Sequence, residues 1–152
     1  MDDTYFSMID NVVAPSDTQR EGAHVVDFEI QKLLSLGWQK YVAVVRDMAG
    51  DTNHAVVRHI ATSFEGECFG GDQLVRQVRA LNRTRRSYVL EEELLHQTTE
   101  RPVASSRVVV ASVDPATGKA APISDELWCA IQEFEGRELR VTENQPNPDK
   151  RS

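Results

Sequence analysis

Between Asp27 and Gly50 the residues Ile30, Leu33, Leu34, Gly37, Trp38, Tyr41, Val42, Val45 and Met48 recur three and four apart. That spacing puts them on one stripe of a helix of about six turns. Gln31, Lys32, Gln39, Lys40, Arg46 and Asp47 fall off the stripe, so one side is buried and the other wet. Asp27 suits the N-cap position and Gly50 suits the stop. Gly37 lies within the apolar stripe, where it costs about 1 kcal/mol relative to alanine. Its spacing points either to close approach of another backbone or to a tolerated glycine near a kink.

The rest of the chain reads mostly as strand. A first strand is expected around Tyr5 to Val13, before the helix, and four more at His54 to Phe64, Gln73 to Leu81, Arg86 to His96 and Val103 to Val113. The links between these four are short and polar, which suits antiparallel hairpins. In the Arg86 to His96 run, Tyr88, Leu90 and Leu94 alternate with Val89, Glu91 and Glu93, while Val108 to Ala111 is apolar on both faces, as in a central strand. A tight reversal follows at Asp114 to Lys119. Ser124 then caps a short helix with the apolar face Leu127, Trp128, Ile131 and Phe134, ended by Gly136. The order predicts an α+β fold in which an antiparallel sheet of about five strands is covered on one face by a single long helix. The uncovered face or an edge is expected to meet a second subunit.

Composition narrows the function classes. The 152 residues suit one domain, expected over 1–142, and the polar, proline-containing stretch 143–152 is expected to be a disordered tail. Acidic residues outnumber basic ones by 24 to 17, for a formal charge of -7, which argues against nucleic acid as a partner. Cys68 and Cys129 form no metal-ligand pattern and read as reduced thiols in a cytoplasmic protein. No metal is implied, and no apolar run is long enough to cross a bilayer.

The stretch Gly71-Asp72-Gln73-Leu74, then Val78-Arg79-Ala80-Leu81-Asn82-Arg83 and Arg86-Ser87-Tyr88, resembles the hairpin passage of hotdog-fold acyl-CoA thioesterases. Arg101-Pro102-Val103-Ala104, Val113-Asp114-Pro115 and Thr117-Gly118-Lys119 extend the likeness, which is to the 4-hydroxybenzoyl-CoA thioesterase type and spans roughly residues 15 to 135. The resemblance implies a hotdog fold, a sheet wrapped around the long helix. It also implies hydrolysis of an acyl-CoA or acyl-carrier thioester, with coenzyme A present only as part of the substrate, and assembly as a homodimer or homotetramer. In that family the loop entering the helix carries the chemistry. Here it runs from Ser16 to Asp27, where Asp17, Gly22, His24 and Asp27 resemble the motif, with Ala23 inserted. Registered on His24, Arg20 stands where the family has its aspartate and Val26 where it has an asparagine.

Thioester hydrolysis needs a group to activate water and a donor for the developing oxyanion. Unpaired amides at the helix start supply the donor whatever side chains surround them. Glu21 and Asp27 rank first for the carboxylate, with Asp17 behind them and His24 as a group that binds substrate or positions water. Asp27 has the competing reading of a plain helix cap. Phe28 borders the substrate end of the helix. Arg83, Arg85 and Arg86 cluster at a hairpin suited to the phosphates of coenzyme A, or else form a solvated turn paired with Glu91 to Glu93. The alternatives to hydrolysis are a non-catalytic acyl-CoA-binding hotdog protein and a hotdog enoyl-CoA hydratase.

Overall fold

The structure is a computed structural model and describes residues 5–16, 25 and 27–142. Strand β1 (Met8–Val13) precedes helix α1 (Asp27–Ala49), and β2 (His54–Phe64), β3 (Gln73–Arg83), β4 (Ser87–His96) and β5 (Pro102–Val113) follow. After them come β6 (Ala120–Ala121), helix α2 (Asp125–Glu135) and β7 (Arg140–Val141). The five long strands lie in the order β1-β3-β4-β5-β2, every pair antiparallel. The expected sheet body is thus present, and two dipeptide strands widen it: β6 against β5, and β7 parallel to β3. Strand β3 runs two residues beyond its expected end at Leu81, past a register shift between Ala80 and Asn82.

Because adjacent side chains alternate across a sheet, the register assigns the residues beneath α1. One row crosses all five long strands as Met8, Val78, Glu92, Ser106 and Thr62; the next is Asp10, Arg76, Leu94, Ala104 and Phe64. The buried face of α1 is Ile30, Leu34, Gly37, Tyr41, Val42 and Val45. Met48, expected in this stripe, is 44% exposed, because its turn lies at the end of the helix. Two apolar clusters result. Tyr41, Val42 and Val45 pack with Leu90, Val108 and Val110, while Ile30 and Leu34 pack with Leu74, Leu94 and Val103.

The second helix begins and ends as its sequence indicates. Ser124 accepts a hydrogen bond from the Leu127 amide at 3.0 Å, and Gly136 closes the helix with φ +71°. Leu127, Trp128 and Ile131 join the first apolar cluster, which settles that their face covers this chain's own core. At its last residue, Glu135 is 1% exposed and gathers four donors: Ser7 Oγ at 2.5 Å, the Ala80 amide at 2.9 Å, Arg137 at 3.3 Å and the Tyr41 hydroxyl.

Between the two clusters lies a polar band at Gly37. Here side chains, not another backbone, approach the helix: a methyl carbon at Gly37 would lie 2.7 Å from Arg76 Cδ and 2.7 Å from Glu92 Oε2. Arg76 cannot withdraw, since it donates to Asp10 at 3.1 and 2.6 Å and to the Leu33 carbonyl at 2.8 Å. Burial alone would raise the Asp10 pKa, but these bonds and the charges of Arg76 and Lys40 hold it below the usual value. Gly37→Ala should therefore destabilise the fold by about 1 to 3 kcal/mol despite the better helix propensity of alanine, because overpacking outweighs that gain. A thermal midpoint equal to or above wild type would refute this.

Candidate functional site

Helix α1 begins at Asp27, whose Oδ1 accepts from the amide of the next residue, Phe28, at 3.0 Å. The carboxylate is exposed, and Phe28 beside it is 71% exposed. Gln31 and Ser35 follow at one-turn spacing from Asp27, so a carboxylate, a carboxamide and a hydroxyl succeed one another along one flank of the helix. Gln31 Nε2 donates toward Ser35 Oγ at 3.5 Å, and Gln31 Oε1 accepts from Thr62 Oγ1 of β2 at 2.6 Å. That flank therefore faces the β2 edge of the sheet.

Strand β2 presents Ile60, Thr62 and Phe64 to the same side, because a register shift between Val57 and His59 changes which residues face inward. Phe64 and Ile60 are both exposed, at 52% and 36%. The first half of α1 and the second half of β2 thus meet through the Gln31–Thr62 bond, with the exposed side chains of Ile60 and Phe64 on either side of it. Deeper in the same row, Thr62 Oγ1 lies 3.2 Å from Ser106 Oγ, and Ser106 stands opposite Glu92 on β4. Glu92 is fully buried, and neither carboxyl oxygen has a hydrogen-bond partner among the described residues. Desolvation pushes its pKa up to about 9, opposed more weakly by Arg76 and by the Trp38 backbone.

The other residues singled out from sequence are placed as follows. Asp17, Glu21 and His24 lie outside the described residues. Arg85 and Arg86 are exposed at the β3–β4 hairpin. Arg83, beside them, turns inward: it donates to the carbonyls of Thr84, Arg85 and Ile123 and stacks 5.2 Å from the centre of the Trp128 ring. Burial lowers its pKa. Glu91, the suggested ionic partner of this hairpin, pairs instead with Arg79 at 2.5 Å and Arg107 at 3.3 Å. The hairpin lies at the far end of β3 from Leu74, which packs near the start of α1, a separation of roughly 30 Å along the strand. One chain does not bring the arginines and Asp27 together.

Gln31, Thr62, Ser106 and Glu92 are not among the residues singled out from sequence, although two carry a signal. Glu92 occupies the place between Leu90 and Leu94 where alternation demands an inward side chain, and Ser106 stands two before Val108. Elsewhere, an open groove of about 640 Å³ on the outer side of the sheet is lined by Glu65, Glu93 and Glu100. Its carboxylates repel phosphate, so it does not suit coenzyme A. Among the described residues no helix is long and apolar enough to cross a membrane, and no cluster of metal-ligating side chains is present.

No family model matches the chain, and no curated protein matches it by sequence. Solved structures do. A thioesterase from Thermus thermophilus, solved with coenzyme A and zinc, aligns at 19% identity with a TM-score of 0.73, covering 88% of this chain and 98% of that one. A Staphylococcus aureus protein in complex with CoA aligns at 10% identity and TM-score 0.74, over 95% of this chain and 93% of that one. A 1,4-dihydroxy-2-naphthoyl-CoA thioesterase from Synechocystis aligns at 11% identity and TM-score 0.64, over 82% and 96%. At such identities it is the architecture that is shared, and the chain has the hotdog fold of these thioesterases.

Proposed function

We propose that this protein hydrolyses an acyl-CoA or acyl-carrier thioester at the start of α1. The observation that carries the reading is an exposed carboxylate in the first turn of the long helix, on the flank that carries Gln31 to the β2 edge, where exposed Ile60 and Phe64 alternate with the hydrogen-bonding Thr62. The amides of that turn have no partner within the helix and point along the positive end of its dipole, so they polarise a thioester carbonyl. Asp27 uses Oδ1 on the Phe28 amide, which leaves Oδ2 for a water; Glu21 is the second candidate base. Water oxygen adds to the carbonyl carbon, the carbon–sulfur bond breaks, and the proton taken by the carboxylate passes to the departing thiolate. Asp17 and His24 remain candidates for holding water or substrate. The Thermus and Staphylococcus structures, solved with coenzyme A, support a coenzyme A thioester as the substrate.

The proposed assembly is a homodimer or homotetramer. Strand β2 is an edge of eleven residues with Val56 and Ile60 exposed, an open template for a second copy. An antiparallel partner there reverses the sheet end for end. Its Arg85 and Arg86 then lie at the end where this chain's α1 starts, within the span of one coenzyme A molecule. The active species should sediment as a dimer or tetramer.

The deciding assay is release of free thiol from a broad acyl-CoA panel by the wild type, Glu21→Gln and Asp27→Asn. Loss of a general base should lower kcat about 100-fold or more with melting unchanged, whereas a pure cap costs only about 1 kcal/mol of stability. If the wild type binds acyl-CoA and releases no thiol, the non-catalytic reading replaces hydrolysis. Arg20 and Val26, at the positions the family keeps polar, are the observation that favours that second reading.

A further inference from the structure

We infer that the connection between β2 and β3, residues 65–72, fixes the start of α1, and that His96 and Asp72 are the positioning residues that hold this connection in place. The inference rests on the reading above only for its consequence in turnover; the hold on the helix is read from the geometry.

Alternation along β4 turns His96 to the same face as Leu90, Glu92 and Leu94, and the register sets it beside Leu74, which packs against the first turns of α1. Its ring Nε2 lies 2.9 Å from the Glu67 carbonyl oxygen. A carbonyl can only accept, so Nε2 carries the proton and donates. Nδ1 lies 4.0 Å from Asp72 Oδ2, and the His96 side chain is only 13% exposed. Asp72 closes the same connection on itself: its Oδ2 accepts from the Phe69 amide at 2.8 Å, and its own amide donates to the Phe69 carbonyl at 3.0 Å.

Backbone contacts complete the seat. The Glu65 and Gly66 amides donate to the Val103 carbonyl of β5 at 2.8 and 3.1 Å. Just past β1, the Gly71 amide donates to the Ala14 carbonyl and the Ala14 amide to the Asp72 carbonyl, both at 2.9 Å. A Cβ on Gly70 would lie 2.8 Å from Ser16 Cα, so the connection rests directly on the chain leaving β1. Cys68 is buried in the apolar cluster of Ile30 and Leu34, and with its side chain so anchored its carbonyl accepts from the Val25 amide at 2.9 Å. Val25 stands two residues before Asp27, the first residue of α1.

Asp27 itself gives the helix start little hold. Its Oδ1 bonds the adjacent Phe28 amide, not the amides two and three residues on that a capping side chain serves. The bond from Val25 to Cys68 ties the chain entering α1 to the sheet, and a shift of Cys68 would carry Asp27 and the first-turn amides with it. Displacing such groups by about 1 Å is enough to slow a reaction that depends on their placement.

Amide hydrogen exchange read by NMR tests the hold without substrate. In His96→Leu the Val25 amide should exchange about tenfold faster than in wild type, the loss of one net hydrogen bond, while the Val45 amide inside α1 keeps its rate. His96→Gln, whose amide can donate to the same carbonyl, should bring Val25 back near the wild-type rate. Asp72→Ala should loosen Val25 in the same way, and Asp72→Asn, which keeps an acceptor for Phe69, should not; this pair decides the matter if His96→Leu does not fold. A Val25 rate unchanged in either loosened variant, or Val25 and Val45 rates that rise together by one factor, overturns the inference. With an acyl-CoA substrate, His96→Leu and Asp72→Ala should lose about tenfold in kcat with little change in KM, and the two conservative variants should keep it. A loosened Val25 with wild-type kcat, or a rise in KM alone, overturns the positioning role. A wild type that shows the exchange pattern but releases no thiol counts against the hydrolase reading alone.

Discussion

Glu92→Gln is expected to stabilise this protein, and increasingly so as the pH rises. The folded-state pKa of Glu92 stands near 9, against an ordinary 4.5. Below about pH 4.5 both the folded and the unfolded chain hold the proton, and wild type and variant should be about equally stable. Between 4.5 and 9 the unfolded chain has released a proton that the fold retains, so wild-type stability declines with rising pH and levels off above the folded pKa. Glutamine resembles the protonated acid and escapes this loss. The difference at pH 7 should be on the order of 3 kcal/mol, a large share of the stability of a domain of this size. The additional N–H of the amide offsets part of it. Urea unfolding of both proteins at pH 4.5, 7 and 9 measures the gap; parallel curves, or a variant less stable at pH 9, would show that the buried carboxyl is not held neutral.

Glu135→Ala should do the opposite, and by a similar amount. Glu135 is as deeply buried as Glu92, yet it is satisfied on all sides, by the Tyr41 and Ser7 hydroxyls, the Ala80 amide and Arg137. Its charge sits at the C-terminus of α2, where the helix dipole disfavours it, so these donors are what make it tolerable. Alanine would leave a buried amide and a buried phenol without an acceptor and open a cavity. Removing one member of such a network costs about 3 to 5 kcal/mol. The denaturant midpoint should fall at all pH values near neutrality, and a midpoint unchanged within error would mean that α2 is held by its apolar face alone.

These two glutamates illustrate why parts of the molecule could be read from the chain and others could not. Helix α1, both caps of α2 and the positions of the five long strands follow from periodicity, turn residues and capping, which act over a few residues. The hairpin motifs, taken in order, carried the fold type as well. Asp27 was legible because a carboxylate before an apolar stripe marks a helix start. Glu135 carries no comparable local mark, since its four partners come from residues as much as 128 positions away.

Chain order and local chemistry thus specify one long helix, antiparallel strands and a carboxylate at the helix entrance. Which strand lies beside which, and that Glu92, Ser106 and Thr62 stand in one row beneath that helix, follows from strand register, and a shift of one residue would turn a strand's side chains to the other face. The same holds for Arg83. Its neighbours make it look like a surface cation, but the Trp128 ring and the carbonyls around it come from elements that meet only when the core closes. Local forces choose the elements, whereas burial and hydrogen bonding between distant segments choose their partners, because only the assembled core removes those groups from water.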